Sequence, residues 1–404
     1  MKHLVNVNFF EKCIVIFFGF SVFTSKAGLN ISVALLFILF AYLFISNKNY
    51  RAKIANNKIF ILSISLYIIG LLSTLIYPSN SADTIYFARK AVFLLVIPCL
   101  FMINMNAENK SLAIKSLCAG FLVAVVNVAY HAYNLGVWDG ERITSFFDVG
   151  RWSEMLTYFL VFLLPLALDN KEKKQKKIIY LLLIVIGYVC LILSGSRGGM
   201  LASLMVTVLY LVVYKRDVLL KLSAVLLVVL PLLMFIFPSK VNVVENRIGS
   251  ITNTTTNKSN SARIKMWESG YLFAIDNLKN NPAAFFFGSG PINFEREYST
   301  YINSVNKNIL SDYPEFSFRD NHNGILDATN KLGIVYEIMF LVLIALITRQ
   351  IMKGSPSIKH SGLNVIAAFF IIGMFYTNQL EYQTICFFYL ISICLPSLPE
   401  RIHA

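Results

Sequence analysis

Three polar groups in this largely apolar chain have the chemistry to bind and activate a charged substrate. The first is Arg197, in the run SGSRGG at residues 194–199, where glycines and serines leave backbone N–H groups accessible. The second is Arg263, near the start of an amphipathic segment, and the third is His322. Guanidinium and backbone N–H groups bind phosphate, and a neutral imidazole accepts a proton near neutral pH. These residue types predict a phosphate-binding site that contains a general base.

Each of the three residues also has a purely structural interpretation. Arg197 could be a snorkelling arginine that marks a helix end, although a charge at the edge of a membrane usually has an anionic partner. Arg263 could form a surface ion pair, for example with Glu268. His322 could be a structural histidine, oriented by Asp320 or by backbone. Residue type alone leaves both interpretations open.

The sequence does not contain the common signatures of metal or nucleotide binding. It has no HExxH motif and no histidine pair at helical spacing, and no GxGxxG or GxxxxGK motif. We therefore expect no metal and no cofactor, and the energy for a transfer reaction would have to come with the substrate. Activated lipid-linked sugars meet this requirement, because their diphosphate is the leaving group.

Composition identifies the bilayer as the main solvent of this chain. It is 56% hydrophobic and 14% charged, with a mean hydropathy of +0.63, whereas soluble domains are about 25% charged. A membrane span needs roughly 20 mostly apolar residues. We predict an all-α polytopic membrane protein with about twelve spans, at 12–25, 29–46, 58–77, 90–104, 112–135, 152–168, 178–194, 199–214, 218–237, 333–348, 361–378 and 382–398.

The distribution of basic residues predicts the orientation of these spans. Alternate loops carry 20 Lys and Arg on one side, and the short loops on the other side carry six. Positively charged loops stay in the cytoplasm, so both termini are predicted inside and the long loop outside. The net charge of +14 is explained by this topology and predicts no nucleic-acid partner. Six cysteines in or beside the spans predict small buried apolar residues and no disulfide framework; they are Cys13, Cys99, Cys118, Cys190, Cys386 and Cys394.

One loop of about 95 residues divides the chain into spans at 1–237, a large outer loop at 238–332, and further spans with a cytoplasmic tail at 333–404. Residues 239–259 predict a flexible approach, and an amphipathic helix follows and ends at Asn281-Pro282. Its predicted face, set against protein or the membrane interface, is Ile264, Trp267, Tyr271, Ala274, Ile275 and Leu278. After a glycine turn at Gly288 and Gly290, Asp320 or Asn321 could cap a helix that begins near His322.

Four sequence motifs together resemble the O-antigen ligase and polymerase superfamily. They are SGSRGG at 194–199, NSARIKMWESG at 260–270, FGSGPINF at 287–294 and HNGILDATNKLGIVY at 322–336. Ligases of this kind carry His, then Asn, Ser or Gln, nine residues, Gly, two residues, and Gly, Thr or Tyr. Here His322 and Asn323 are followed by nine residues and then by Gly333 and Tyr336, so the pattern is complete.

The resemblance implies a GT-C-like membrane glycosyltransferase at the periplasmic face of the bacterial inner membrane. Its donor would be O-antigen on undecaprenyl diphosphate, and its acceptor the outer-core sugar of lipid A–core, as in lipopolysaccharide biosynthesis. The resemblance also implies that Arg197 and Arg263 hold the diphosphate, that His322 activates the acceptor hydroxyl, and that the anomeric carbon is inverted without a metal. Asn323, Gly333, Tyr336, Gly288 and Gly290 would support the site.

Two other functions remain as alternatives. An O-antigen polymerase of the same superfamily would extend the glycan on its carrier, although one large outer loop favours the ligase. A lipid-linked glycan flippase is a transporter, and transporters commonly have related halves and charged or broken helices near the midplane. The sequence shows neither feature, so we favour the enzyme.

Overall fold

The structure, a computed structural model, describes residues 2–55, 57–103, 106–236 and 257–396, with residues 241–242, 245 and 249. Most of the predicted flexible approach at 239–259 lies outside these residues. The described part of the chain is helical and has no strand. Its first eleven helices are α1 (Lys2–Thr24), α2 (Lys26–Ser46), α3 (Lys48–Ala55), α4 (Lys58–Ile76), α5 (Ser81–Lys90), α6 (Phe93–Ile103), α7 (Ala107–Leu135), α8 (Val149–Ala167), α9 (Lys174–Ser194), α10 (Arg197–Tyr214) and α11 (Arg216–Ile236).

The large loop and the last spans supply eight further helices. The loop contains α12 (Lys258–Asn280), α13 (Pro282–Phe287), α14 (Phe294–Val305), α15 (Ile309–Asp312) and α16 (Gly324–Leu332). The last three are α17 (Ile334–Ile351), α18 (Pro356–Gly373) and α19 (Tyr382–Cys394). Many of the helices begin at a short polar residue whose side chain accepts from a backbone N–H in the first turn, as Ser196 does from Gly199.

The prediction of a polytopic membrane protein is confirmed, but the count of twelve spans stays a prediction. Nine stretches within the described residues are long and apolar enough to cross a membrane. Three predicted spans, which correspond to α8, α18 and α19, are not among the nine. Predicted span 90–104 corresponds to α6, and the apolar stretch that is long enough to cross a membrane begins earlier, at Ser81, with an interruption after Lys90.

The helices α8, α18 and α19 lie in the interior of the helix bundle. Every residue of α8 from 152 to 167 is buried, and so is every residue of α19 from 383 to 394. Polar side chains are tolerated there because neighbouring helices provide hydrogen bonds. Ser361 of α18 donates to the Phe162 carbonyl at 2.7 Å, and the Gln383 amide donates to the Glu154 carboxylate at 3.2 Å. A helix surrounded by protein therefore needs fewer apolar residues than one surrounded by lipid.

The large loop has a small hydrophobic core of its own. Phe273 of α12 packs edge-on against Phe294 and Tyr298 of α14, with ring centroids 5.9 and 5.4 Å apart. Met266, Ile302 and other buried side chains complete this cluster. The loop is therefore a packed unit, and it can present side chains at fixed positions.

The predicted apolar face of α12, set against protein or the membrane interface, packs on protein only in part. Ala274 is buried, but Ile264, Tyr271 and Leu278 are exposed. The face that packs on the loop core runs through Ala262, Met266, Phe273 and Asn277 instead. The cysteine prediction also fails in part: all six are free, but Cys13 is exposed and Cys118 is only half-buried.

Candidate active site

Arg197 is the first residue of α10, immediately after a tight turn. Gly195 ends α9 in the left-handed conformation, with φ of 63°, and Ser196 caps α10. The Arg197 side chain reaches the large loop, where Nη1 donates to Asn260 Oδ1 at 3.4 Å. Backbone N–H groups at the start of a helix add to the positive potential around this guanidinium.

Arg263 lies one turn after Asn260 on α12, and its guanidinium carbon is 5.6 Å from the centre of the Tyr376 ring. This cation–π contact holds the charge in a fixed place. The alternative interpretation of Arg263, an ion pair with Glu268, is not supported, because Glu268 pairs with Lys265 at 3.0 Å. The Tyr376 hydroxyl is 3.1 Å from Ser196 Oγ, so one tyrosine joins the two arginine-bearing helices.

Arg197 and Arg263 line the same cavity, which we call the arginine cavity. Its volume is about 160 Å³, and its wall is completed by Gly198, Leu201, Asn260, Ile264, Trp267 and Phe375. Arg263 and Arg142 both act on the Arg197 guanidinium as like charges, and Glu315 acts as an opposite one. The cavity is therefore a positively charged recess with a partly apolar wall, which suits an anion attached to a lipid.

His322 lies next to this cavity and has an unusual backbone. Its φ of 47° is in the left-handed region, which costs a non-glycine residue about 1–2 kcal/mol. Both backbone polar groups are fixed, because the amide donates to Asp320 Oδ1 at 3.2 Å and the carbonyl accepts from Trp267 Nε1 at 3.1 Å. Trp267 also lines the arginine cavity, so it joins His322 directly to the cavity wall.

Burial of His322 favours a neutral ring at physiological pH. Burial lowers the pKa of His322 below its ordinary value of 6.5, and the positive charges of Arg263 and Lys331 lower it further. Asp320 opposes this, with Oδ1 3.4 Å from His322 Nε2. A neutral imidazole held by a carboxylate on one nitrogen can accept a proton on the other, which is the arrangement of a general base.

The motif residues around His322 shape the backbone. Asn323 is the cap of α16, and its side chain accepts from Leu326 N at 3.1 Å; the predicted caps Asp320 and Asn321 are wrong. Gly333 ends α16 with φ of 88°, and a Cβ there would lie 2.2 Å from the Phe286 carbonyl. Tyr336 is fully buried, in edge-to-face contact with the Phe87 ring at 6.0 Å.

The glycine turn joins the loop to the bundle. Ser289 and Gly290 donate their amides to the carbonyls of Asn330 and Lys331 at the end of α16, at 2.8 and 3.0 Å. Gly288 and Gly290 both have positive φ, and a Cβ on Gly288 would lie 2.4 Å from the Lys331 backbone. The turn therefore requires small residues to approach the helix end that carries the motif.

A buried acid holds the other side of this turn. Asp83 of α5 is fully buried, and its Oδ1 accepts from the amides of Ile292 and Asn293. A Cβ on Gly290 would lie 2.7 Å from this carboxylate. Sequence reasoning missed this role, since Asp83 is a single acid between two predicted spans.

The segment 374–381, between α18 and α19, supplies side chains that sequence reasoning missed. Predicted span 361–378 is wrong at its end, because the helix stops at Gly373 and the following residues turn towards the large loop. Phe375 and Tyr376 reach the arginine cavity and its arginines. Gln379 donates to the buried Glu337 carboxylate at 2.8 Å and holds the segment on α17. The polar run TNQLEYQ after an apolar stretch was the available signal.

A comparison with known protein families matches the part of the chain that contains the three candidate residues. Residues 181–341 match the family model described as O-antigen ligase. This match confirms the resemblance to the O-antigen ligase superfamily. The matched segment contains Arg197, Arg263 and His322, and segment 374–381 lies beyond it. No curated protein matches the chain.

Proposed function

We propose that this protein is an O-antigen ligase that transfers glycan from undecaprenyl diphosphate to the outer-core sugar of lipid A–core. The observation that carries the proposal is the convergence of three side chains from separate parts of the chain. Arg197 and Arg263 line one cavity, and Trp267 in its wall donates to the His322 carbonyl. The family match supports glycosyl transfer within the O-antigen ligase and polymerase superfamily.

In this mechanism the arginine cavity receives the diphosphate of the donor. Each guanidinium can bind phosphate oxygens in a two-point fashion, and the charge that develops on the leaving diphosphate is stabilised as the glycosidic bond breaks. Leu201 and Ile264 provide apolar contact for the start of the prenyl chain. Tyr376 keeps Arg263 in place, since the ring lies against its guanidinium.

His322 then activates the acceptor hydroxyl. The neutral imidazole accepts the hydroxyl proton while the oxygen attacks the anomeric carbon from the face opposite the diphosphate, which inverts that carbon. Asp320 stabilises the imidazolium that results. A positioned base of this kind contributes about 10²–10⁴-fold to the rate. No metal has a role in this scheme.

The proposal requires the large loop and the three side chains to be on the periplasmic side of the inner membrane. A reporter fused at Ser311, in α15 of the large loop, should give a periplasmic signal, and one fused at Lys174, at the start of α9, a cytoplasmic signal. A cytoplasmic signal at Ser311 would rule the proposal out, because the site would then face away from lipopolysaccharide assembly. We also propose that the chain divides at residues 237 and 333, so that the large periplasmic loop lies between two sets of membrane spans.

A polymerase of the same superfamily is the second candidate, because the family match covers both activities. The two differ in what accumulates when the protein is removed. We expect a deletion strain to make lipopolysaccharide without polymer while carrier-linked polymer persists. A single repeat unit on the core would instead identify the polymerase.

A further inference from the structure

A second recess, which we call the loop groove, lies on the large loop away from the arginine cavity. Its volume is about 420 Å³. It runs between α12 and α14, and its wall includes Phe273, Asp276, Asn281, Arg296, Glu297 and Tyr301. The rings of Phe273 and Tyr301 are adjacent, with centroids 5.3 Å apart. The groove therefore combines an aromatic surface with carboxylate, amide and guanidinium groups.

Two polar groups of the loop groove, Glu297 and Asn281, are held in place by hydrogen bonds within the protein. Glu297 Oε1 accepts from the Tyr77 hydroxyl and from Asn293 Nδ2, both at 2.8 Å. The Tyr77 hydroxyl in turn accepts from Asn281 Nδ2 at 2.7 Å. Tyr77 follows α4, so the membrane bundle itself orders this wall. Binding to such a preorganised wall would require little ordering of side chains.

We propose that the loop groove binds a glycan. A pyranose has an apolar face that stacks on an aromatic ring and a rim of hydroxyls that both donate and accept hydrogen bonds. Tyr301 offers the ring, while Asp276, Asn281, Arg296 and Glu297 offer acceptors and donors around it. A phosphate fits poorly, because two carboxylates face one guanidinium. A lipid chain fits poorly, because charged and amide side chains interrupt the aromatic part of the wall.

The position of the groove indicates which part of a glycan it holds. Arg263 and Phe273 lie on the same helix, ten residues apart, which is about 15 Å along the axis. The groove therefore contacts sugars some units away from the reacting bond, and it selects for glycan structure without contacting the reacting atoms. This inference rests on the proposed function, because it assumes that a glycan extends from the reaction site.

The test measures binding to the full-length protein in lipid nanodiscs by calorimetry. Two probes distinguish the sources of glycan: polymer released by mild acid from the host's lipopolysaccharide, and core oligosaccharide from a strain without polymer. We expect one of them to bind the wild type, and Tyr301→Ala to raise its Kd by about 2- to 10-fold, which corresponds to the loss of one aromatic contact. Thr300→Trp, which fills the groove from an exposed position, should abolish binding.

The control is Tyr271→Ala, because Tyr271 is an exposed tyrosine on α12 that does not line the groove. It should bind as the wild type does. The inference is overturned if neither glycan binds the wild type, or if Tyr301→Ala and Thr300→Trp both bind normally. His322→Ala separates the two proposals, because it should lose transfer and keep glycan binding. Normal transfer by His322→Ala would count against the proposed mechanism and would leave the groove intact as a glycan site.

Discussion

Replacing Asp320 with Asn tests the electrostatic account of His322 directly. The Asp320 carboxylate oxygen is 3.4 Å from His322 Nε2, and the two side chains are 27% and 30% exposed. At this distance two unit charges attract by about 1 kcal/mol at the dielectric of water and by about 5 kcal/mol at an effective dielectric of 20. Because both side chains are partly exposed, we expect an attraction near the lower of these two energies. A change of 1 kcal/mol is about fivefold in the protonation equilibrium.

The direction of the effect follows from the charges. The carboxylate stabilises the imidazolium, so its removal lowers the pKa of His322 further. Activity that requires the neutral imidazole is lost as pH falls through this pKa. In the variant the loss should therefore occur at a lower pH than in the wild type. At neutral pH we expect a lower kcat as well, because the imidazolium formed during transfer is less stabilised.

The assay is transfer of glycan by purified protein in nanodiscs, with saturating donor, measured across the acid range. Asp312→Asn is the matched control, because Asp312 is an exposed carboxylate elsewhere in the large loop, and its profile should match the wild type. In Asp320→Asn, the loss of activity at low pH could instead occur at the same pH as in the wild type, or at a higher pH. Either result would refute the assignment of His322 as the base or the role of Asp320 as its partner.

Three further outcomes follow from the site. Arg197→Lys keeps the charge but loses the planar fork of donors, so we expect a marked loss of kcat/KM and weaker donor binding in a protein that still inserts. His322→Gln can form hydrogen bonds but cannot take the proton, so transfer should fall by about 10²–10⁴-fold, and near-normal transfer with chelator present would make His322 a positioning residue. Gly198→Ala places a Cβ 2.8 Å from the Tyr376 ring, so it should raise the KM for donor; an unchanged KM would show that Tyr376 does not need this close approach.

The helices could be predicted, and the three candidate site residues could be singled out, because their signals are local. Apolar runs of span length and polar caps depend on neighbouring residues alone. The charge of the loops predicted one compartment for Arg197, Arg263 and His322, and the structure brings the three together around the arginine cavity. Their distances and partners needed tertiary structure, as the contact of Arg263 with the Tyr376 ring shows.

The missed features depend on contacts between distant parts of the chain. Residues 374–376 are apolar, so they read as the end of a span, and only packing against α10 and α12 assigns Tyr376 to the site. The cap of α16 was placed too early because a left-handed histidine is not expected from sequence. That conformation turns the chain at His322, so Asn323 caps the helix.

Asp83 makes the sequence of α5 and that of the glycine turn depend on each other, although the two are more than two hundred residues apart. Replacing it with an apolar residue would leave the amides of Ile292 and Asn293 without their acceptor, at a typical cost of about 1–3 kcal/mol for the buried donor of Asn293. Exposed apolar positions on α11, such as Leu227 and Phe235, can exchange one apolar residue for another at little cost. Among related sequences, we therefore expect the acid and the glycine turn to be either both kept or both changed. The residues of α11 should vary, but only among apolar types.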